Sequence, residues 1–280
     1  MSGVSLPFRR FVARLGRRFV EENFDQISAS LAFTTLLSLV PLVAVVLSIV
    51  AVVPFFPNLV EQLEIFLARS FLPERNAGLI IQHVLRFSRQ AVKVTAVGSV
   101  ALVATVVLLL LTIERAFNHV WRVTEPRKWW RRLRLYAAMV VIWPLVIGGV
   151  ALASSYAVTT SLGLLDEPPW VRRMLLKALA LMVAGAFLGG LYHALPNTRV
   201  APRDAGVAGL CAALGFLVLQ WGFELYLARF PSYAAVYGTL ATLPVFLLWL
   251  YLSWAVVLIG ALIAATLPEF RDSPGGSGFG

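Results

Sequence analysis

The sequence predicts an all-α fold: a polytopic membrane helix bundle with about six transmembrane helices and additional interfacial amphipathic helices. Three observations carry that expectation. Hydrophobic residues make up 59% of the 280-residue chain and charged residues only 14%, whereas a soluble domain carries about 25% charged residues. Mean hydropathy is +0.82. The charges also bound a series of uncharged runs, each near the ~20 residues that a helix needs to cross about 30 Å of hydrocarbon. Such a chain cannot cover a water-facing surface, so its excess apolar surface must face lipid. Its length suits one bundle better than two domains.

The elements follow in order. Residues 1–24 form a cytoplasmic amphipathic segment, in which Phe8, Phe11, Val12, Leu15 and Phe19 oppose an arginine face, as in a helix lying on the leaflet surface. Glu21, Glu22 and Asp25 intervene before the first long apolar run, so no cleavable signal peptide is expected. The transmembrane domain occupies residues 25–268. Its first span is Ile27–Val53, ended by Pro54, and an outer segment at 54–94 follows. There Leu59, Leu63, Phe66 and Leu67, then Ile80, Val84, Phe87 and Ala91, recur at one-face helical spacing, which predicts two amphipathic helices. The second span is Val94–Ile113, between Lys93 and Glu114. The third lies within Leu135–Leu165, around Tyr136–Tyr156. The fourth is Ala178–Leu195, stopped by Pro196, the fifth Ala205–Phe223, and the sixth Leu240–Leu267, with Pro268 as its stop. The tail, 269–280, is Gly-rich and expected to be disordered.

Six spans place both termini on one side. That side holds fifteen of the 24 basic residues, with seven of them in the Glu114–Arg134 loop alone. Positive-inside asymmetry therefore predicts cytoplasmic N- and C-termini. The net charge of +10 and pI of about 10.5 would suggest nucleic acid for a soluble chain. Here they are explained by basic loops against anionic headgroups, and no nucleic-acid partner is expected. The expected partners are membrane lipids and a second copy of this chain in a homo-oligomer.

Polar residues in a membrane span are costly and worth weighing as sites. His193, near the cytoplasmic end of the fourth span, reads either as a proton-sensitive gate or as a solvated helix-end histidine; the second is favoured by Pro196 within a turn. Glu224 and Glu114 end the fifth and second spans, where snorkelling to water is cheap, and Glu114 is expected to pair with a basic neighbour such as Arg115. Gly185 and Gly189 form a GxxxG pair, and Gly206, Gly209, Cys211, Ala213 and Gly215 stud the fifth span, as at close helix contacts. Pro144 and Gly148 in the third span and Pro244 in the sixth are candidate hinges. The uncharged outer stretch containing Pro231, Ser232, Tyr233, Tyr237 and Gly238 has two open readings. It is an aromatic belt at headgroup level or a re-entrant element lining a pathway. Enzyme templates fail. His83, His119 and His193 are scattered, Cys211 is the lone cysteine, and no Walker loop, GxGxxG or GxSxG occurs. No metal, cofactor or catalytic residue is expected.

Several stretches then resemble a known family. Residues 29–41 (Ala29-Ser30-Leu31-Ala32-Phe33-Thr34-Thr35-Leu36-Leu37-Ser38-Leu39-Val40-Pro41) are similar to the first-helix signature of the YihY/virulence factor BrkB family of UPF0761 inner-membrane proteins. Leu191-Tyr192-His193-Ala194-Leu195-Pro196-Asn197 resembles its fourth-helix end. Arg203-Asp204-Ala205, Tyr233–Thr239 and Phe246–Tyr251 resemble its C-terminal half. The likeness extends over roughly Phe19–Leu267. It implies a bacterial inner-membrane protein with six helices. The ribonuclease BN label borne by members finds no support in these residues, which hold no acid cluster or His motif. The resemblance points to export or flipping of a lipid or other amphipathic molecule; the alternative is a non-transporting scaffold for envelope proteins.

Overall fold

The structure, a computed structural model, describes residues 5–52, 96–125, 127–138, 169–229 and 242–271. Seven helices lie among them: α1 (Ser5–Glu21), α2 (Phe24–Val52), α3 (Ala96–Val120), α4 (129–138), α5 (Pro169–Ala194), α6 (Pro202–Arg229) and α7 (Thr242–Arg271). The amphipathic outer segment at 54–94, the body of the third span with Pro144 and Gly148, the Pro231–Gly238 stretch and the tail past Arg271 fall outside the described residues, whereas 269–271, expected to belong to that tail, form the end of α7.

Five helices are long and apolar enough to cross a membrane, through Phe24–Leu42, Val103–Val120, Lys177–Ala194, Pro202–Arg229 and Leu243–Glu269. They are apolar around most of their circumference, as buried or lipid-bathed helices must be. The helices outrun the sequence-read spans. α3 continues to Val120 rather than ending at Ile113, and α5 begins at Pro169. Pro268 does not stop α7, which runs on to Arg271. So close to the C-terminal end, proline removes a single backbone bond, and its ring meets only one preceding turn. Pro244 sits in the first described turn of α7, where a missing N–H has little to lose.

Two contacts organise the bundle. α5 and α6 form a hairpin closed by the 195–201 turn and packed through glycine. A Cβ at Gly209 would fall on the carbonyl oxygen of Gly185 and 2.8 Å from the Cα of Gly189. The backbones therefore touch, as the GxxxG pair implies for a solvent without hydrophobic drive. α7 is the hub, packing against α1, α2, α3, α5 and α6. Gly260 of α7 leaves room for the buried ring of Tyr192, whose hydroxyl donates to the Val257 carbonyl at 2.9 Å. Around this contact Phe24, Leu31, Phe117, Leu188, Leu195, Leu258 and Leu262 complete a sealed core.

Candidate functional site

The arginine-rich segments meet at one end of the bundle, where the start of α2 and the ends of α3, α5 and α7 converge. Two left-handed corners begin the site. Asn23 (φ 54°) turns α1 into α2, and Arg122 (φ 53°) ends α3. The Val123 N–H reaches the Asn118 carbonyl at 2.8 Å and the Arg122 N–H that of His119 at 3.0 Å, a Schellman pair with arginine in the place usually taken by glycine. Asparagine tolerates such a φ; arginine does so at a cost of about 1–2 kcal/mol. Arg122 is held there by its own side chain, which donates to Glu22 Oε1 at 2.7 Å.

Glu22 is the knot of this end. Arg18, one helical turn earlier, donates to both carboxylate oxygens at 2.9 and 3.3 Å and to the Val120 carbonyl at 3.0 Å. His119 Nε2 lies 3.3 Å from the Glu22 carbonyl. Partial burial pushes the Glu22 carboxyl up, but hydrogen bonds and charge from Arg18 and Arg122 outweigh it and hold the group below its usual range. Arg14 pairs with Glu269, fastening α1 to the end of α7. The N-terminal helix is thus clamped to the bundle, with Leu15 and Phe19 packed on the core.

Glu114 corrects one expectation. It does not snorkel to water from a helix end: α3 continues past it, and its side chain is only 1% exposed. Nor does it pair with Arg115, which is exposed, because successive helical residues do not share a face. Arg132 Nε and Nη2 donate to its two oxygens at 2.9 and 3.4 Å, and the Tyr136 hydroxyl donates to Oε2. Arg132 and Tyr136 are four residues apart, so one face of α4 grips α3 through both.

Arg127 finishes the end of α5. It donates to the Pro196 carbonyl at 2.9 Å, the Leu195 carbonyl at 3.4 Å and Asn197 Oδ1 at 3.3 Å. These acceptors belong to the turn just past the helix, and a longer bond of 3.5 Å reaches the Ala194 carbonyl, one of those the helix end leaves unpaired. Asn197 completes the lock, its N–H on Asn118 Oδ1 at 2.8 Å and its amide on the Glu125 carbonyl at 3.1 Å. His193 is exposed, with Nδ1 2.8 Å from the Val200 carbonyl, so it closes the same turn. Glu224 stands on the exposed side of α6, beside buried Phe223. The structure therefore brings Glu114 into a network but leaves His193 and Glu224 apart from it. Pro231, Ser232, Tyr233, Tyr237 and Gly238 lie outside the described residues. No group of three or more His, Cys, Asp or Glu residues that could hold a metal occurs among the described residues.

A second polar feature lies along the α2–α7 contact. Trp254 Nε1 donates to Thr35 Oγ1 at 3.0 Å. One turn along the same stripe of α2, Ser38 Oγ is buried without a partner among the described residues, as is Ser253 Oγ on the side of α7 that carries Trp249 and Val256 toward α6. Thr35 is eleven residues into α2, or about 16 Å at 1.5 Å per residue, which is near the midplane of a ~30 Å hydrocarbon layer. Reading the sequence residue by residue missed both this seam and the Glu22 knot. The four-residue spacing of Arg18 and Glu22 was a usable signal for the knot; single serines in an apolar run gave none.

An all-helical body with five described membrane-crossing helices and a basic, hydrogen-bonded end defines a polytopic membrane protein. Residues 15–277 match the family model described as Virulence factor BrkB, and the chain belongs to that family. It is 43% identical over 266 residues to a UPF0761 membrane protein of Azoarcus sp. (strain BH72), covering 95% of this chain and 65% of that one. Similarity to UPF0761 membrane proteins of Aromatoleum aromaticum (40% over 264 residues, 94% of this chain and 65% of that one) and Nitrosospira multiformis (41% over 266 residues, 93% and 62%) is comparable. The chain thus spans a little under two thirds of the length of these curated relatives. No solved structure matches it.

Proposed function

We propose that this protein moves a lipid or other amphipathic molecule across the bacterial inner membrane, as an exporter or flippase, without covalent chemistry. The observation that carries the reading is the midplane seam of Thr35, Ser38 and Trp254 between α2 and α7. Unpartnered hydroxyls in hydrocarbon are costly, and polar groups held at that depth are where transporters place their substrates. Such a seam offers hydrogen bonds to a headgroup crossing an otherwise apolar body. The arginine-rich end then faces the cytoplasm, with both termini on that side.

The test is a reconstitution. Purified protein in vesicles carrying a headgroup-labelled fluorescent lipid should move label away from an outside quencher faster than protein-free vesicles. Thr35→Ala with Ser38→Ala should slow that movement several-fold while the helical content is retained. Wild-type protein no faster than empty vesicles, across zwitterionic and anionic labelled lipids, would sink the proposal. The alternative, a non-transporting scaffold for envelope proteins, draws support from the sealed Phe24–Leu262 core and gains from that negative result.

A further inference from the structure

α4 has two working faces. One holds Glu114 through Arg132 and Tyr136. The other carries Arg131, Arg134 and Leu135, which share a face by their three- and four-residue spacing. These three, with Arg127 and Asn197, line an open basin of about 430 Å³.

The charge in this basin is not cancelled from within, because its lining contains three guanidinium groups and no carboxylate. Glu125 adjoins the basin through its backbone carbonyl, which accepts from the Asn197 amide at 3.1 Å, but it is not part of the lining; Glu114 is committed to Arg132 and Tyr136, and Glu22 to Arg18 and Arg122. Arg131 also stands in the first turn of its helix, its N–H on the Lys128 carbonyl at 2.9 Å. A cation there opposes the helix dipole, which favours an anion at that end. The site is prepared as well as charged. Arg127 is held by the Leu195 and Pro196 carbonyls and by Asn197, and Asn197 is held in turn by Asn118. Trp129 and Trp130 precede Arg131, stacked with ring centroids 3.7 Å apart and each about 60% exposed. Exposed tryptophans beside an arginine cluster belong at headgroup level, where indole rings settle.

We propose that the Arg127–Arg131–Arg134–Asn197 basin binds a phosphate group, with the forks of Arg131 and Arg134 supplying the paired donors that a phosphate accepts and the fixed Arg127 adding its charge. The ligand chemistry is a phosphate ester or free phosphate, and the neighbouring tryptophans favour an anionic lipid as its source.

The experiment uses the full chain in a neutral detergent at fixed ionic strength. Dihexanoyl-phosphatidylglycerol below its micelle concentration is titrated calorimetrically in one arm and inorganic phosphate in the other. The variant is Arg131→Gln with Arg134→Gln; both side chains are exposed, so folding should survive. Arg9→Gln with Arg10→Gln removes the same charge from another exposed part of the basic end. The expected result is lipid binding weakened at least about tenfold in the basin variant and little changed in the control. An equal loss in both variants overturns the proposal, since binding would then be unspecific attraction, and so does no loss in either or no binding to wild type. Binding of inorganic phosphate with the same selective loss keeps the site and assigns it to a soluble phosphate instead. Should the double variant misfold, Arg134→Gln alone decides by the same comparison.

Discussion

Removing Arg132 should harm this protein more than removing the acid it binds. Glu114 is 1% exposed and Arg132 30% exposed, so the two partners are stranded unequally. In Arg132→Gln the carboxylate stays in a dry site with neutral donors at most and no countercharge. Leaving a buried charge uncompensated costs about 3–5 kcal/mol. In Glu114→Gln the amide oxygen still accepts from Tyr136, and Arg132 has a third of its side chain in reach of water. The loss is then of charge-assisted hydrogen bonds, about 1.5–3 kcal/mol. The double variant removes both charges and should cost less than the sum, leaving a coupling energy of about 1–3 kcal/mol. SDS-driven unfolding in mixed micelles, followed by tryptophan fluorescence, measures all three. The reasoning fails if Arg132→Gln costs under about 1 kcal/mol, if Glu114→Gln is the worse single change, or if the pair is additive.

Three further outcomes are expected. Gly209→Ala should destabilise by at least about 2 kcal/mol, because its Cβ meets backbone of Gly185 and Gly189 that cannot step aside. Gly206→Ala, one turn away with nothing within 4 Å, should instead stabilise by up to about 1 kcal/mol through helix propensity; the same micellar unfolding assay separates them. Glu22 has a folded pKa below its ordinary 4.5, so its contribution to stability is present above that pH and is lost as pH falls through the lower folded value. Melting of wild type and Glu22→Gln from pH 7 downward should therefore converge in acid, and a gap that widens in acid would contradict the clamp. In a Cys211→Ser background, cysteines placed at Trp121 or Trp129 should react with impermeant maleimide only after the inner leaflet is opened; labelling of intact spheroplasts would invert the topology.

The spans were readable because lipid imposes one composition over twenty residues, and no tertiary detail is needed to see it. Their ends were not: Glu114 and Pro268 look like terminators, yet α3 and α7 run through both. Membrane helices tolerate an acid once a neighbouring element neutralises it, and Arg132 comes from eighteen residues away. The GxxxG contact was legible because its meaning is local to two helices. The Glu22 knot needs Arg122 at a separation of 100 residues, and only α1, α2 and α3 meeting at one end creates it. His193 lies in the last turn of α5, with Nδ1 on the Val200 carbonyl, and Pro196 follows within a turn.

The central position of α7 sets an order of events in time. α2 leaves the ribosome early, yet the Trp254 that its Thr35 awaits is 219 residues downstream. At about 5–20 residues per second, that is an interval of roughly 10–40 s. Through that interval the face of α2 that will meet α7 is bare, its hydroxyls turned toward lipid or toward whatever insertion machinery shelters them. The α5–α6 hairpin, by contrast, can close within seconds of its own synthesis. A nascent chain truncated before Thr242 would therefore leave the α7-facing side of α2 a client of the insertion apparatus, although its contact with α3 is already available.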